Sequence, residues 1–600
     1  MTQDQWGDRR RRVFWLVVAM WLEAALISLY LRHVGLLDLQ FKDPDDAMRL
    51  VQVRDFLAGQ SWFDVTQYRS NPPIGAPMHW SRLVDLPIAA LILLFRPLVG
   101  NHMAEVIACL SVPPLTLAAL FWALYWATWR FLGRPLALVC CLLLATTPMI
   151  LSQVLPLRID HHAWQIVMAA FTLGGMLHPD VRKGGWISGL AMATSLHISG
   201  EGLPLAALFG GVMGLRYALR ADEWPRFMGY MVALVGLSVV LLLAVHGETH
   251  WLSTYCDSMS PVYFTPLAAA TAATMMVRQG AGDANFIRRA AALFGGGVAG
   301  AVLFVATAGP CITGPFAALD PLVYRFWYLD VMEGQPIWRQ GSDMWGILLL
   351  PTLLGLVGFT LALRGETDAR RRLDWLSLLL LGAGSLCVAI TVLRASGSAQ
   401  LLAIPGSAWV IARLYRPIPE LQRMLARVSA TVLLCVLSPA GLALAWLAIV
   451  QPQTEQNNKT DEEKKGGEYD IADVDRLAHV PKGVMFAPMD VGTFVLQRTP
   501  HSVISTAHHR NVAAMKTLIE GFLAPPDKAR LIIGATPADY VLIVPGLGET
   551  GGYRKDSPHG LTAELIAGRV PAWLHPVTVP GMKTMQLYRI DRSAPALRPR

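Results

Sequence analysis

Long apolar runs alternate with short polar, arginine-containing segments through the first three quarters of the chain. A run of about 20 apolar residues is long enough to cross the hydrocarbon core of a bilayer as a helix. When somewhat shorter apolar runs are included, the chain has about thirteen such segments. They predict about thirteen membrane-spanning helices. They cover 13–31, 103–129, 135–155, 165–177, 186–198, 203–215, 227–245, 262–277, 290–308, 345–363, 375–393, 399–411 and 428–450.

Arginine residues at the ends of these runs predict how the helices are oriented. Arg9 to Arg12 stand directly before the first run, and later clusters such as Arg370 to Arg372 fall at alternate run ends. Because positive residues concentrate in cytoplasmic loops, the N-terminus is predicted to be cytoplasmic and the C-terminal part periplasmic. The first run resembles a signal peptide, but no small-residue cleavage site follows it, so we expect a retained helix. The expected location is the bacterial inner membrane.

The composition agrees with an integral membrane protein. Hydrophobic residues make up 54% of the chain and charged residues 16%, whereas soluble domains average about 25% charged residues. The formal net charge of +8 comes with arginines at the ends of apolar runs. Membrane topology accounts for this charge, so nucleic-acid binding is not indicated.

A change to polar composition near residue 450 predicts a second domain. The expected parts are a transmembrane domain at 1–450, a flexible linker at 451–470 and a periplasmic α/β domain at 471–600. Short apolar runs in the last part predict strands at 483–488, 531–534 and 540–544, and helices at 511–522 and 561–567.

The long first outer loop, about 32–101, carries three carboxylates within four positions: Asp43, Asp45 and Asp46. Like charges this close repel unless a cation, a basic side chain or water offsets them. The alternative is that Asp45 or Asp46 caps a helix that begins at residue 47. Further along, the apolar run at 86–95 is too short to cross about 30 Å of hydrocarbon and predicts an interfacial or re-entrant segment.

Two further acidic motifs are predicted on the same face of the membrane. Asp160-His161-His162 follows the third predicted span, and Glu333 lies in the outer loop at 309–341. Carboxylates with an imidazole suit a divalent ion such as Mg²⁺ or Mn²⁺. The alternatives are a surface ion pair of Asp160 with Arg158, interfacial histidines, and a solvated Glu333.

Arg394 ends an apolar run at the outer face, where positive charge is under-represented. Such an arginine pairs with a protein acid, a bound phosphate or a lipid headgroup. Other polar residues predicted on this face are further site candidates: Asp45, Asp46, His161, Arg69, His79, Arg82, His197 and Glu201.

Cysteine and glycine positions add less. Cys256 and Cys311 are the two cysteines in polar outer loops, and they can form a disulfide if both loops face an oxidising compartment. Gly295-Gly296-Gly297 lies within a predicted span and favours close helix packing rather than phosphate binding.

The order of these motifs resembles the catalytic subunits of oligosaccharyltransferases, which belong to the GT-C glycosyltransferases. Asp43, Pro44 and Arg49 match part of the family's first-loop motif, and Asp160-His161-His162 matches the Asp-His-His form of archaeal members. Residues 330–336 are similar to the fifth-loop Ser-Val-Ser-Glu-His-Gln-Pro motif. Arg394 falls where the family places an arginine against the donor phosphate. The resemblance covers 13–450.

The resemblance implies a polytopic α-helical membrane protein with the GT-C fold. It implies that Asp43, Asp160 and His162 bind a divalent metal, that Asp43 and Glu333 are catalytic, and that Arg394 binds the lipid phosphate. The first-loop motif departs from the family in lacking the upstream acid and the aromatic stretch. The family's Trp-Trp-Asp-Tyr-Gly acceptor motif is also absent from the C-terminal part.

The expected function is therefore inverting transfer of a sugar or glycan from a polyprenyl-phosphate or polyprenyl-diphosphate carrier to a periplasmic acceptor. The acceptor is expected to be a lipid, a glycan or a protein side chain, and the enzyme is expected to be a monomer surrounded by membrane lipids. One alternative is an oligosaccharyltransferase that glycosylates protein en bloc. The other is a polysaccharide or lipid transporter or flippase. In transport folds, charged sites usually lie near the bilayer midplane, whereas these acids are predicted in outer loops.

Overall fold

The computed structural model describes residues 3–316, 319–458 and 469–593. The chain divides into two compact units. The first, which we call the helical unit, contains 1–39, 81–317 and 332–453. The second, the sheet unit, contains 40–80, 318–331 and 454–600, so it takes in segments of two predicted loops as well as the C-terminal residues. Half of the predicted linker, 459–468, lies outside the described residues.

The described helices and strands follow in chain order. The helices are α1 Gln3–Leu31, α2 Pro44–Leu57, α3 Asp85–Leu132, α4 Arg134–Leu144, α5 Pro148–Leu151, α6 His162–Met176, α7 Val181–Ile198, α8 Leu203–Leu219, α9 Trp224–Val245, α10 Glu248–Leu252, α11 Pro261–Ala281, α12 Phe286–Thr307, α13 Pro321–Phe326, α14 Ser342–Gly365, α15 Ala369–Thr391, α16 Ser396–Tyr415, α17 Met424–Val436, α18 Pro439–Asn458, α19 Ile471–Leu477, α20 Met489–Arg498, α21 Val512–Leu523, α22 Pro526–Gly534, α23 Gly548–Asp556 and α24 Leu561–Ile566. The strands are β1 Thr66–Gln67, β2 Ala76–Pro77, β3 Val484–Phe486, β4 Ser502–Val503, β5 Tyr540–Ile543, β6 Leu574–Val577 and β7 Gln586–Ile590.

Among the described residues, seven helices are long and apolar enough to cross a membrane, and the number rises to nine if two bent pairs each form one span. The bent pairs are α4 with α5, at 64°, and α17 with α18, at 83°. A helix or bent pair lies at every predicted span position. However, α6 has only 15 residues, and α7, α11 and α16 contain many small or polar residues. The predicted number of about thirteen spans is therefore not confirmed.

The segment predicted as interfacial, 86–95, is the first part of α3. This helix continues through Pro97 and is broken at Gly100, where φ is 79° and ψ is 172°. Positive φ at this point favours glycine, because other residues rarely adopt it. The break in α3 therefore lies at Gly100, three residues after Pro97, and not before the proline.

Small residues allow helices of the helical unit to approach closely. A Cβ placed on Gly185 would come within 2.3 Å of the Arg226 carbonyl oxygen, where α7 meets α9. A Cβ on Gly358 would come within 2.1 Å of the Gly406 carbonyl oxygen, where α14 meets α16. Close backbone contact through glycine is typical of packed membrane helices.

Helices α11 and α12 form a hairpin joined by a similar glycine contact and by a disulfide. A Cβ on Gly296 would lie 1.9 Å from Thr274 Oγ1, which agrees with the packing interpretation of the glycine triplet. Cys256 and Cys311 form a disulfide with a Cα–Cα distance of 5.0 Å. The pairing that the sequence left open is therefore present.

A five-stranded mixed sheet with the order β4-β3-β5-β7-β6 forms the core of the sheet unit. Strand β3 is parallel to β4 and β5, whereas β7 is antiparallel to β5 and β6. The segment around Ser70 extends the β4 edge, because Asn71 N donates to Val503 O at 2.9 Å and Val503 N donates to Arg69 O at 2.8 Å.

One predicted element in this unit is wrong. The expected strand at 531–534 is the end of helix α22, which begins at Pro526. Proline is well suited to the first position of a helix, and a short apolar run does not by itself distinguish helix from strand.

Candidate active site

The start of α6 places three buried polar side chains together. Asp160, His161 and His162 are 5%, 2% and 7% exposed. His161 Nδ1 lies 2.6 Å from Asp160 Oδ1, and His162 Nε2 lies 3.4 Å from Asp160 Oδ2. One ligand atom from each of the three residues can be chosen so that all lie within 4.8 Å of one another, as metal binding requires.

Glu201 approaches these histidines from the turn that joins α7 to α8. Its Oε2 lies 3.6 Å from His162 Nδ1 and 3.8 Å from His161 Nε2. Gln165, on the next turn of α6, donates to the Ser199 carbonyl oxygen at 3.3 Å. This hydrogen bond connects the Glu201 turn to the helix that carries His162.

Glu333 and Arg394 come from two short 3-10 turns, Met332–Gly334 and Leu393–Ala395. Leu393 N donates to Gln335 O at 3.2 Å, which holds the two turns together. Arg394 Nη2 donates to Glu333 Oε1 at 2.8 Å. Arg394 Nη1 donates to Glu201 Oε1.

Together these contacts close a ring in which basic and acidic side chains alternate, which we call the ion-pair ring: His162, Glu201, Arg394 and Glu333. The last contact of the ring joins Glu333 Oε1 to His162 Nε2 at 3.8 Å. The structure thus brings together three motifs that the sequence singled out, namely Asp160-His161-His162, Glu333 and Arg394. It also brings Glu201, a further candidate from the sequence, into the same site.

The donor atoms around Asp160 and His162 fit a divalent cation. Carboxylate oxygens from Asp160 and Glu333 lie on the Nε2 side of His162. Carboxylates suit Mg²⁺ and Mn²⁺, and an imidazole nitrogen suits transition metals.

His161 carries positive charge beside this group. Burial lowers the pKa of His161, but the carboxylates of Asp160 and Glu201 outweigh it and raise the pKa to about 9. The imidazolium therefore pairs with Asp160 at neutral pH.

Asp43 has a structural role that the sequence assigned to its neighbours. Helix α2 begins at Pro44, and Asp43 is its N-cap, with Oδ1 accepting from Asp45 N at 2.9 Å. The prediction that Asp45 or Asp46 caps a helix from residue 47 is wrong, because an Asp followed by Pro is a stronger start signal. A carboxylate has two oxygens, so capping and metal binding are compatible.

The remaining first-loop candidates lie in the sheet unit beside the C-terminal residues. Asp45 Oδ1 is 3.4 Å from His508 Nε2. Asp46 is buried at the start of α2. The His79 ring centroid lies 4.5 Å from that of His509.

Three other candidates contact residues outside the ion-pair ring. Arg69 donates to the Leu496 carbonyl oxygen at 2.6 Å and to the Thr499 carbonyl oxygen at 2.9 Å, which caps the C-terminal end of α20. Arg82 is fully buried and forms an ion pair with Asp85 at 3.2 Å. The His197 ring is buried, and its centroid lies 5.7 Å from that of His246.

Sequence reasoning missed the residues that support the site. Gln165 and Ser199 hold the Glu201 turn, and the Gln335 carbonyl oxygen holds the Arg394 turn. The Ser199 side chain accepts from Glu201 N at 3.4 Å, and this local turn is the part that the sequence Ser-Gly-Glu could have indicated. The other two contacts join distant segments and have no local signal.

No family model and no curated protein matches the sequence of this chain. Comparison with solved structures finds the oligosaccharyltransferase AglB from Archaeoglobus fulgidus in complex with an inhibitory peptide and a dolichol-phosphate. The TM-score is 0.66 at 15% identity, and the match covers 97% of this chain and 75% of that one.

Two other structures of the Archaeoglobus fulgidus enzyme are also similar. One is tethered to an acceptor peptide with an NVT sequon and has a TM-score of 0.64 at 13% identity, covering 96% of this chain and 74% of that one. The other is a complex with Zn and sulfate and has a TM-score of 0.59 at 15% identity, covering 95% and 73%. At these identities the likeness establishes the fold alone, and this chain shares the fold of that archaeal oligosaccharyltransferase.

Proposed function

We propose that this chain is a membrane glycosyltransferase that moves a sugar or glycan from a polyprenyl-phosphate or polyprenyl-diphosphate carrier to an acceptor. The observation that carries the proposal is the ion-pair ring beside Asp160, found in a fold shared with an oligosaccharyltransferase. That enzyme was solved with a dolichol-phosphate, which supports a polyprenyl-linked donor here.

Arg394 is the proposed contact to the donor phosphate. Its guanidinium presents Nη1 and Nη2 to two separate carboxylates. Phosphate oxygens can accept from the same two groups, because arginine recognises carboxylate and phosphate with similar geometry. Donor binding therefore exchanges protein carboxylates for phosphate oxygens at Arg394.

Asp160 and His162 are the proposed ligands of Mg²⁺ or Mn²⁺. A related fold has been solved with Zn and sulfate, which supports a cation in this class of site. A bound divalent ion would neutralise charge on the departing phosphate. The family resemblance adds Asp43 as a third ligand and as the general base, and places Glu333 near the acceptor. These assignments remain predictions, as does inversion at the sugar.

The acceptor is proposed to be a lipid, a glycan or a protein side chain other than a sequon asparagine. The related enzyme was solved with an acceptor peptide that contains an NVT sequon, but this chain lacks the Trp-Trp-Asp-Tyr-Gly motif. We also propose that the protein lies in a bacterial inner membrane with about thirteen spans, a cytoplasmic N-terminus and a periplasmic domain at 471–600. A linker at 451–470 would join the two domains.

The test is transfer from a radiolabelled polyprenyl-phosphate sugar, using purified full-length protein in lipid nanodiscs with mixed membrane lipids and glycans as acceptors. We expect labelled product from the wild type and at least a 100-fold loss in Glu333→Gln. A labelled peptide with an Asn-Val-Thr sequon separates the oligosaccharyltransferase alternative. The flippase alternative predicts that the wild type moves the carrier across the membrane without any sugar transfer. It also predicts that Asp43→Ala and Glu333→Ala abolish that movement.

A further inference from the structure

The two ring nitrogens of His162 face different partners. Nε2 lies 3.4 Å from Asp160 Oδ2 and 3.8 Å from Glu333 Oε1, whereas Nδ1 lies 3.6 Å from Glu201 Oε2. A histidine that binds a metal through one nitrogen commonly directs the other towards a carboxylate, which fixes its ring and tautomer. Glu201 occupies that second position.

Glu201 also contacts Arg394 through its other oxygen. Oε1 accepts from Arg394 Nη1, while Oε2 faces the histidines. A single carboxylate therefore touches both the proposed cation ligand and the proposed phosphate contact. Glu333 contacts the same two residues through Oε1 alone.

The charges in this ring predict how the two ligands affect each other. A phosphate that takes over Arg394 leaves Glu201 and Glu333 without their shared cationic partner. The negative charge that remains favours a divalent cation at Asp160 and His162. By thermodynamic linkage, the cation must favour the phosphate to the same extent.

We propose that Glu201 is a positioning residue that fixes the His162 ring for cation binding and couples cation binding to phosphate binding at Arg394. The part that concerns phosphate rests on the function proposed above. The part that concerns the cation depends only on Asp160, His162 and Glu201.

The experiment titrates purified full-length protein with Mn²⁺ alone, followed by electron paramagnetic resonance, and repeats the titration with saturating farnesyl phosphate. Glu201→Gln should weaken Mn²⁺ binding about 10- to 100-fold, the usual effect of removing such a carboxylate. It should also change the nitrogen hyperfine coupling of bound Mn²⁺, which reports the imidazole. Glu201→Asp, which keeps the charge, should lose less affinity than Glu201→Gln.

Glu366→Gln is the matched control, because Glu366 also pairs with an arginine, Arg371, at 2.9 Å in the helical unit. Its Mn²⁺ affinity should equal that of the wild type. Farnesyl phosphate should raise the Mn²⁺ affinity of the wild type by about 5-fold or more, and this factor should shrink in Glu201→Gln. Thermal unfolding identifies variants that do not fold. If Glu201→Gln does not fold, the Mn²⁺ affinity of Glu201→Asp provides the test.

Mn²⁺ affinities in Glu201→Gln and Glu201→Asp that stay within twofold of the wild type would overturn the proposal. So would an equal loss in Glu366→Gln, or a wild type that binds no Mn²⁺. The proposed function is tested separately by sugar transfer. Transfer by the wild type, with unchanged Mn²⁺ binding in Glu201→Gln, would refute only this inference. No transfer by the wild type, with weakened Mn²⁺ binding in Glu201→Gln, would refute only the proposed function.

Discussion

Arg394 contacts two carboxylates, and both oxygens that it contacts belong to residues of the ion-pair ring. A charge-assisted hydrogen bond of this kind contributes about 1.5 to 3 kcal/mol. The geometry of the Arg394 guanidinium matters as much as its charge, because two parallel N–H groups can donate to two acceptor oxygens. Substitution of this one side chain therefore tests the proposed donor contact.

We predict that Arg394→Ala lowers kcat/KM for the polyprenyl-linked donor by about 10- to 100-fold or more. Arg394→Lys should restore little, because an ammonium cannot make the paired contacts of a guanidinium. Transfer rates measured against donor concentration give both values. Arg371→Ala is the control, since Arg371 pairs with Glu366 at an exposed turn. Wild-type kinetics in Arg394→Ala would contradict the phosphate assignment.

Two acids in the sheet unit give a prediction for pH. Burial raises the pKa of Glu549, and the neighbouring Asp490 raises it further, to about 8, against the lowering effect of hydrogen bonds from Met489 N and Tyr553. Burial, together with the charge of Asp330, raises the pKa of Asp490 to about 6. Because both groups bind protons more tightly when folded, their contribution to the free energy of unfolding is complete below about pH 4.

This contribution should be lost as the pH rises from about 4 to 8. The unfolding temperature of the full-length protein is therefore expected to fall across this range, and Glu549→Gln should flatten the fall because its amide does not titrate. Thermal unfolding of both proteins at matched pH values gives the comparison. Parallel curves for the two proteins would show that Glu549 does not titrate as expected.

At the scale of single elements, the hairpin of α11 and α12 offers a matched pair of glycines. A Cβ on Gly296 would meet Thr274 Oγ1 at 1.9 Å, whereas no atom lies within 4 Å of a Cβ on Gly297. We predict that Gly296→Leu lowers the unfolding temperature and that Gly297→Leu has little effect, since overpacking typically costs about 1 to 3 kcal/mol. Equal effects at the two positions would show that close packing of this face is unimportant.

Local patterns predicted many elements but not all of their ends. Apolar periodicity placed a helix or bent pair at every predicted span, because burial in lipid or protein requires long apolar runs. Helix α2 begins three residues before its predicted start, because Pro44 takes the first helical position and Asp43 caps it. The segment at 531–534 was misread because its short apolar run suits either kind of element.

Some arginine clusters have a second role that charge counting could not show. Arg216 forms ion pairs with Glu223 at 3.0 Å and with Asp374 at 2.8 Å, joining α8 to α15. Arg226 shares Glu223 at 2.7 Å. Arginines near the ends of apolar runs, the residue type used to predict orientation, thus also connect helices. Only the folded structure shows which acid each arginine contacts.

At the scale of the whole molecule, the sequence indicated which residue types belong to the site but not how they meet. Asp160, His162, Glu333 and Arg394 were each identified from their motif and predicted side of the membrane. Their convergence depends on backbone contacts between distant segments, such as Leu393 N to Gln335 O at 3.2 Å. Glu201 was also a candidate from the sequence, but its position between His162 and Arg394 depends on contacts between distant segments.

Sugar transfer is proposed to occur at the cation site of Asp160 and His162. The most direct test compares the metal dependence of transfer in the wild type and in His162→Ala. We predict that EDTA abolishes transfer by the wild type, that Mn²⁺ or Mg²⁺ restores it, and that His162→Ala loses at least about 100-fold at any metal concentration. His178→Ala, in the turn after α6, should behave like the wild type. Sugar transfer by His162→Ala at the wild-type rate in the presence of EDTA would contradict a role for a cation at Asp160 and His162.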